Sequence, residues 1–198
     1  VYSARALELY EGLGDLSGQA GVLNNLGVFA YWRGQWEEAV GYYERSRDLE
    51  LRTGDVINAA TAGANIAEVL ADQGHLDDAE EKLLDALRVF RASRYGYMIG
   101  FSCSVLGRVA SRRGDFGDAF ERFDEARREF AAAELPADGV HVDALYAHAL
   151  VLAGDPEGGL ALAEETQARD DDGSEEPLLL RIRGYALAQQ GAHAEAVA

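Results

Sequence analysis

The sequence predicts an all-α fold, a solenoid of antiparallel helix pairs. Three observations carry that prediction. A Gly-x-x-x-x-Ala phrase recurs as GQWEEA at 34–39, GHLDDA at 74–79 and GDFGDA at 114–119, so its glycines lie 40 residues apart. Apolar residues flank each phrase at helical spacing. The only prolines are Pro136, Pro156 and Pro177, which leaves long helices unobstructed over the first 135 residues. Self-similarity at a fixed period means that one supersecondary unit is repeated.

The elements follow in order along a single array covering 1–198. Residues 1–15 are a partial preceding repeat. Full repeats occupy 16–55, 56–95 and 96–135. In the second of these, helix A is expected from about Asp55 to Gln73 and helix B from about Leu76 to Ala92. Leu76, Ala79, Leu83, Ala86, Leu87 and Phe90 form its apolar stripe. Gly74 sits where a helix C-terminus needs a left-handed residue, and Asp77 and Asp78 suit the positive end of helix B. A degenerate repeat spans 136–174, where GDPEGG at 154–159 puts Gly159 in place of Ala. A truncated one spans 175–198, with GAHAEA at 191–196. Seven positions before each glycine stands a small residue, Gly27, Ala67, Gly107, Ala147 and Gly184, where two helices would cross closely. A lone helix pair buries too little apolar surface to offset its chain entropy, so the units must stack.

Composition excludes several classes of function. The chain of 198 residues carries 35 acidic against 18 basic residues, a formal net charge of −17. Such a surface repels nucleic-acid phosphates and anionic membranes. No apolar run reaches membrane-spanning length. Cys103 is the sole cysteine, which fits a cytoplasmic location, and its position on helix A reads as a small buried hydrophobe. The high Ala, Gly, Leu and Arg content fits a GC-rich bacterial genome. Val1 and Ala198 fall inside helical patterns, so the chain is expected to be a piece of a larger protein.

The phased residues carry a resemblance. Leu26-Gly27, Gly34, Trp36, Ala39 and Tyr43 resemble the tetratricopeptide repeat. So do Ile66-Ala67, Gly74, Leu76, Ala79 and Leu83, and Leu106-Gly107, Gly114, Phe116, Ala119 and Phe123. The period here is 40 rather than the usual 34. The resemblance implies a right-handed superhelix that binds protein or peptide along the groove lined by helix A. More narrowly, LNNLGVFAYWRGQW, NIAEVLADQGHLDDAEEKLLDALRVFRAS and LGRVASRRGDF look like C-terminal repeat regions of large bacterial cyclase- or ATPase-type signalling regulators. That resemblance implies a sensing or regulatory region. Two alternatives are a self-assembly scaffold, with weak self-association through exposed solenoid ends, and a small-molecule-sensing region of an ATPase-type transcription regulator.

The groove implied by the resemblance names candidate contact residues. They are Asn24, Asn25, Val28, Tyr31 and Trp32, then Asn65, Glu68 and Asp72, then Phe101, Ser104, Arg108 and Arg112, and finally His148 with His141. Trp36 shares its phase with Leu76 and Phe116 and is expected in the core. Trp32 varies to Asp72, Arg112, Leu152 and Gln189, so it reads either as part of an aromatic contact patch with Tyr31 or as a shield for a helix end. Glu68 and Arg108 share a phase, as do Asp72 and Arg112. They read either as an ion-pair ladder, at ~0–1 kcal/mol per pair, or as a charged strip that orders a bound peptide.

No catalytic residue, metal site or cofactor is expected. Glu37 and Glu38 are adjacent on a helix and do not oppose each other. His141 and His148 lie about two turns, roughly 10 Å, apart and cannot share one ion. His75 and His193 fall in equivalent turns between helices. DDDGSEE at 170–176 lacks the glycine and glutamate spacing of a calcium loop and reads as a solvated linker before Pro177. No GxxxxGK[ST] phosphate loop is present, and Lys82, the sole lysine, lies within a helix B.

Overall fold

The computed structural model describes residues 2–192, which among themselves contain ten helices and no strand. They are α1 (Tyr2–Leu13), α2 (Leu16–Trp32), α3 (Trp36–Thr53), α4 (Val56–Gln73), α5 (Leu76–Ser93), α6 (Gly96–Arg113), α7 (Phe116–Ala132), α8 (Pro136–Leu152), α9 (Pro156–Gln167) and α10 (Glu176–Gln189). The chain forms two compact units, Val1–Met98 and Ile99–Ala198. The phrase GAHAEA and His193 fall largely or wholly outside the described residues.

A period of 20 underlies the period of 40. Left-handed residues occur at Gly14, Gly34, Gly54, Gly74, Arg94, Gly114, Glu134 and Gly154, each 20 after the last. At each, the amide of the following residue bonds back five positions, as His75 N–H does to the Leu70 carbonyl at 2.9 Å and Asp155 N–H to Leu150 at 2.9 Å. This closes the last helical turn and reverses the chain. The residue that donates this bond also opens the next helix. Asp15, Asp55, Asp115 and Asp155 each accept the amide three residues on, with distances of 2.9, 2.9, 3.3 and 2.9 Å. Short links of this kind make consecutive helices antiparallel neighbours.

In the first unit α1 packs on α2, α2 on α3, α3 on α4 and α4 on α5. In the second, α7 packs on α8, α8 on α9, and α10 on both α9 and α8. The helices expected from about Asp55 to Gln73 and from about Leu76 to Ala92 match α4 and α5 within a residue at each end, and DDDGSEE spans the connection between α9 and α10 up to the first residue of α10. Cys103 is fully buried.

Side-chain size is matched where helix A crosses helix B. A Cβ on Gly27 would lie 2.5 Å from the Tyr43 ring, and one on Gly107 would lie 2.5 Å from the Phe123 ring. In the repeat between them the same two positions hold Ala67 and Leu83, both fully buried. In the degenerate repeat they hold Ala147 and Ala163, and there a Cβ on Gly159 would lie 2.4 Å from Val151 Cγ2 and 2.9 Å from the Ala147 carbonyl oxygen. Gly159 is therefore a consequence of two helices closing over small side chains.

One core expectation is corrected. Trp36 is 37% exposed, whereas Leu76 and Phe116 are half-buried. It is the first residue of α3. A helical side chain leans toward the N-terminal side of its own Cα, which here carries a large indole beyond the helix and out over the link.

Candidate functional site

In the first unit, helices α2 and α4 present residues that bond one to the other. Asn65 Nδ2 donates to Asn24 Oδ1 at 3.0 Å, and the Tyr31 hydroxyl donates to Asp72 Oδ2 at 2.7 Å. Both pairs are separated by 41 residues, one more than the repeat. Counting in phase matches Asn25 with Asn65, but Asn25 is exposed and the half-buried Asn24 holds the bond. The stagger between neighbouring helices is invisible to a register count.

Val28 and Tyr31 pack half-buried against a core of Ala30, Ala39, Tyr43, Ile66 and Val69. Glu68 is half-buried on α4. Burial pushes the Tyr43 hydroxyl well above its ordinary pKa, and the negative charge of Glu68 adds to the rise. This edge of the face therefore combines two fixed polar pairs with a carboxylate near a neutral phenol.

Trp32 stands 75% exposed at the end of α2. Its partner is Phe29, 54% exposed, with ring centroids 6.4 Å apart and planes at 86°. This edge-to-face pair is favourable in itself, yet it leaves most of both rings in water. Sequence reasoning missed Phe29 because it lies off the periodic stripe, between Val28 and Ala30. The signal available was the run Phe29-Ala30-Tyr31-Trp32, three aromatics in four positions, too dense for one buried face. Trp36 lies beyond, with Gly34, Gln35, Glu37, Glu38 and Gln73 around a shallow pocket of about 360 Å³.

In the second unit the candidate residues are more enclosed. Phe101 and Arg108 are half-buried and Arg112 is exposed. Ser104 is buried, with its hydroxyl donating to the Phe101 carbonyl at 2.8 Å in its own helix. His148 stacks on Tyr185 of α10 with centroids 6.0 Å apart. Its Nε2 is buried without a hydrogen-bond partner. Burial, and then the positive charge of Arg181, lower its pKa and hold it neutral. His141 is exposed, with Nδ1 2.9 Å from Glu175 Oε1. Among the described residues no group of three His, Cys, Asp or Glu side chains could hold a metal ion, and no helix is long and apolar enough to cross a membrane.

Comparison with known proteins places this geometry. The tetratricopeptide repeat family model matches residues 18–92, the span of α2 to α5. No curated protein matches the chain. Solved structures do resemble it. Aspartyl phosphate phosphatase F from Bacillus subtilis matches with a TM-score of 0.77 at 14% identity, over 92% of this chain and 48% of its own. The chain thus spans about half the length of that phosphatase. BtubC (BKLC) from P. vanneervenii matches with a TM-score of 0.76 at 15% identity, over 99% and 84%. A kinesin-light-chain-like protein from Podosopora anserina with nearly identical TPR-like repeats matches with a TM-score of 0.63 at 18% identity, over 88% of each chain. At these identities the likeness is one of fold. It bears out the all-α class and the helix-pair repeat of tetratricopeptide type.

Proposed function

We propose that the chain is a non-catalytic protein- or peptide-binding module. The reading rests on one observation above the rest, the Phe29–Trp32 pair held open to solvent beside the Tyr31–Asp72 bond. Exposed aromatic anchors on a rigid helix are the usual centres of binding energy. The fold supports the same reading, since stacked helix pairs offer an extended surface for partners.

The finer part is a regulatory or sensing region of a larger bacterial signalling protein, working in the cytoplasm. It rests on the phrases LNNLGVFAYWRGQW and NIAEVLADQGHLDDAEEKLLDALRVFRAS. The charged residues belong to this proposal as contacts for a bound segment, Glu68 and Asp72 within the first unit and Arg108 and Arg112 within the second. Charge reversal at Arg108 is then expected to change partner affinity more than thermal stability. A change in melting temperature with unaltered affinity would leave Arg108 a purely stabilising role.

The test begins with peptides selected on the immobilised chain from a random display library. Phe29→Ser with Trp32→Ser should weaken the selected peptides about tenfold or more, the scale of a hot-spot loss. The melting temperature should stay close to that of the unaltered chain, because both rings are solvent-exposed. No selectable peptide, or full affinity in the double variant, would defeat the reading. A second reading, weak self-association, is favoured by Leu9 and Leu13 on α1, which are 61% and 77% exposed. Light scattering across a concentration series tests it, and a mass that stays monomeric would remove it.

A further inference from the structure

The second unit holds a groove that the helix-A face does not include. It is formed by the end of α7, the turn at Glu134 and Leu135, the first turns of α8, and the chain leaving α9. Its volume is about 1030 Å³, at the upper end of what small ligands fill. Its lining includes the apolar residues Leu135, Pro136, Val140 and Ala168.

The charged groups are divided in a telling way. Arg127 and Arg169 both reach Asp143, a carboxylate only 8% exposed. Arg127 Nε lies at ion-pair distance from Asp143 without the alignment of a hydrogen bond. Its guanidinium also sits 4.2 Å over the Tyr146 ring. The two cations are thus both paired with Asp143, Arg127 largely covered and Arg169 half in solvent. Glu134, Asp170, Asp171 and Asp172 remain, four further carboxylates along the same groove. Asp170 and Asp172 accept local amide bonds from Glu175 and Ser174, which fixes the loop that carries them. A lining that combines apolar side chains with these carboxylates complements one kind of occupant, a segment bearing an apolar side chain next to lysine or arginine.

Glu134 adds a separate argument. It holds a left-handed conformation, φ 56°, at a position where the 20-residue turn series otherwise uses glycine at all but one other place. A side chain there brings its Cβ close to the following carbonyl oxygen, which is unfavourable for any residue but glycine. An observed backbone outlier of this kind is a pointer to function. Here the side chain it retains is a carboxylate of the groove.

We propose that this groove is a second docking site, for a basic-apolar peptide segment of a partner protein. It does not depend on the aromatic face of the first unit. The probe is a fluorescein-labelled peptide of alternating leucine and arginine, read by anisotropy. Two controls replace every leucine by serine or every arginine by glutamate.

The expected result is saturable binding of the leucine-arginine peptide and at least tenfold weaker binding of both controls. Glu134→Gly should raise the melting temperature by relieving the turn, yet weaken the peptide severalfold. Asp171→Arg with Asp172→Arg should weaken it at least tenfold, while Phe29→Ser with Trp32→Ser should leave it unchanged. Equal binding of the serine control would reduce the effect to non-specific attraction by an acidic chain and overturn the proposal. So would a Glu134→Gly chain that is more stable with undiminished binding, or wild-type protein that does not bind the probe. Loss of binding only in the Phe29/Trp32 variant would assign the peptide to the first unit instead.

Discussion

In the first unit α2 and α3 cross over Gly27, and the absent side chain makes room for the Tyr43 ring. In the second unit α8 and α9 cross over Ala147 and Ala163, with no ring between them, and the helices close in until residue 159 has space only for hydrogen. Both crossings are dense, but they reach density differently. One fills a gap in helix A with a large residue from helix B. The other removes the gap by bringing the backbones together. The first leaves no room because a buried ring fills the gap, and the second because a side chain and a backbone carbonyl do.

The largest effect should therefore come from Gly159→Ala. Its methyl meets a β-branched side chain and the Ala147 carbonyl oxygen, so the helices must separate. Overpacking of this kind costs about 1–3 kcal/mol, which thermal denaturation should register as a melting point several degrees lower. A change below the error of the scan would show that α9 shifts freely and that the crossing is not close.

Gly27→Ala tests the other crossing. It should cost somewhat less, about 1–2 kcal/mol, because only the Tyr43 ring is in the way. Adding Tyr43→Leu recreates the Ala67 and Leu83 combination of the neighbouring repeat. The double variant should be more stable than the sum of the two single changes by about 1 kcal/mol. Strict additivity would break the idea that the two positions are matched in size.

Arg94→Gly and Glu134→Gly should each stabilise by about 1 kcal/mol, the relief of a left-handed side chain less the entropy of glycine. Denaturant titration reads this as a higher midpoint with an unchanged slope. Destabilisation at both would mean that contacts of these side chains outweigh their backbone cost.

The smallest effect concerns pH. The pKa of His148 is lowered on folding from its ordinary value of 6.5, so folding favours the neutral ring. Its contribution is fully present above 6.5 and is lost as pH falls below that, through the folded value. His148→Phe should flatten the melting temperature between pH 7 and 5. An equal acid-side slope in this variant would place the dependence on other groups.

Much of the fold was legible because a repeat reports each position several times. Gly34, Gly74 and Gly114 locate the turns from sequence alone, and Leu76 to Phe90 locates a buried face. The half period of 20 was hidden because Arg94 and Glu134 stand where glycine is expected. Trp36 misled because identical phase does not give identical depth when one residue is an indole at a helix end. The site was less legible. Tyr31 and Trp32 stood out by departing from the pattern, but the 41-residue partners depend on the stagger between helices. The Asp143 cluster joins residues from α7, α8 and the connection after α9, in the region where the repeat decays, so no phase marks it.

The matched crossings also bear on how such a chain avoids pairing with itself wrongly. Nearly equivalent repeats invite a helix to dock on the neighbour of its proper mate. Here a displacement by one repeat would press the Tyr43 or Phe123 ring onto the methyl of Ala67, and would leave Gly27 facing the shorter Leu83 across a void. Adjacent repeats thus differ in the size match at their crossings, so a helix B docked one repeat out of place is penalised.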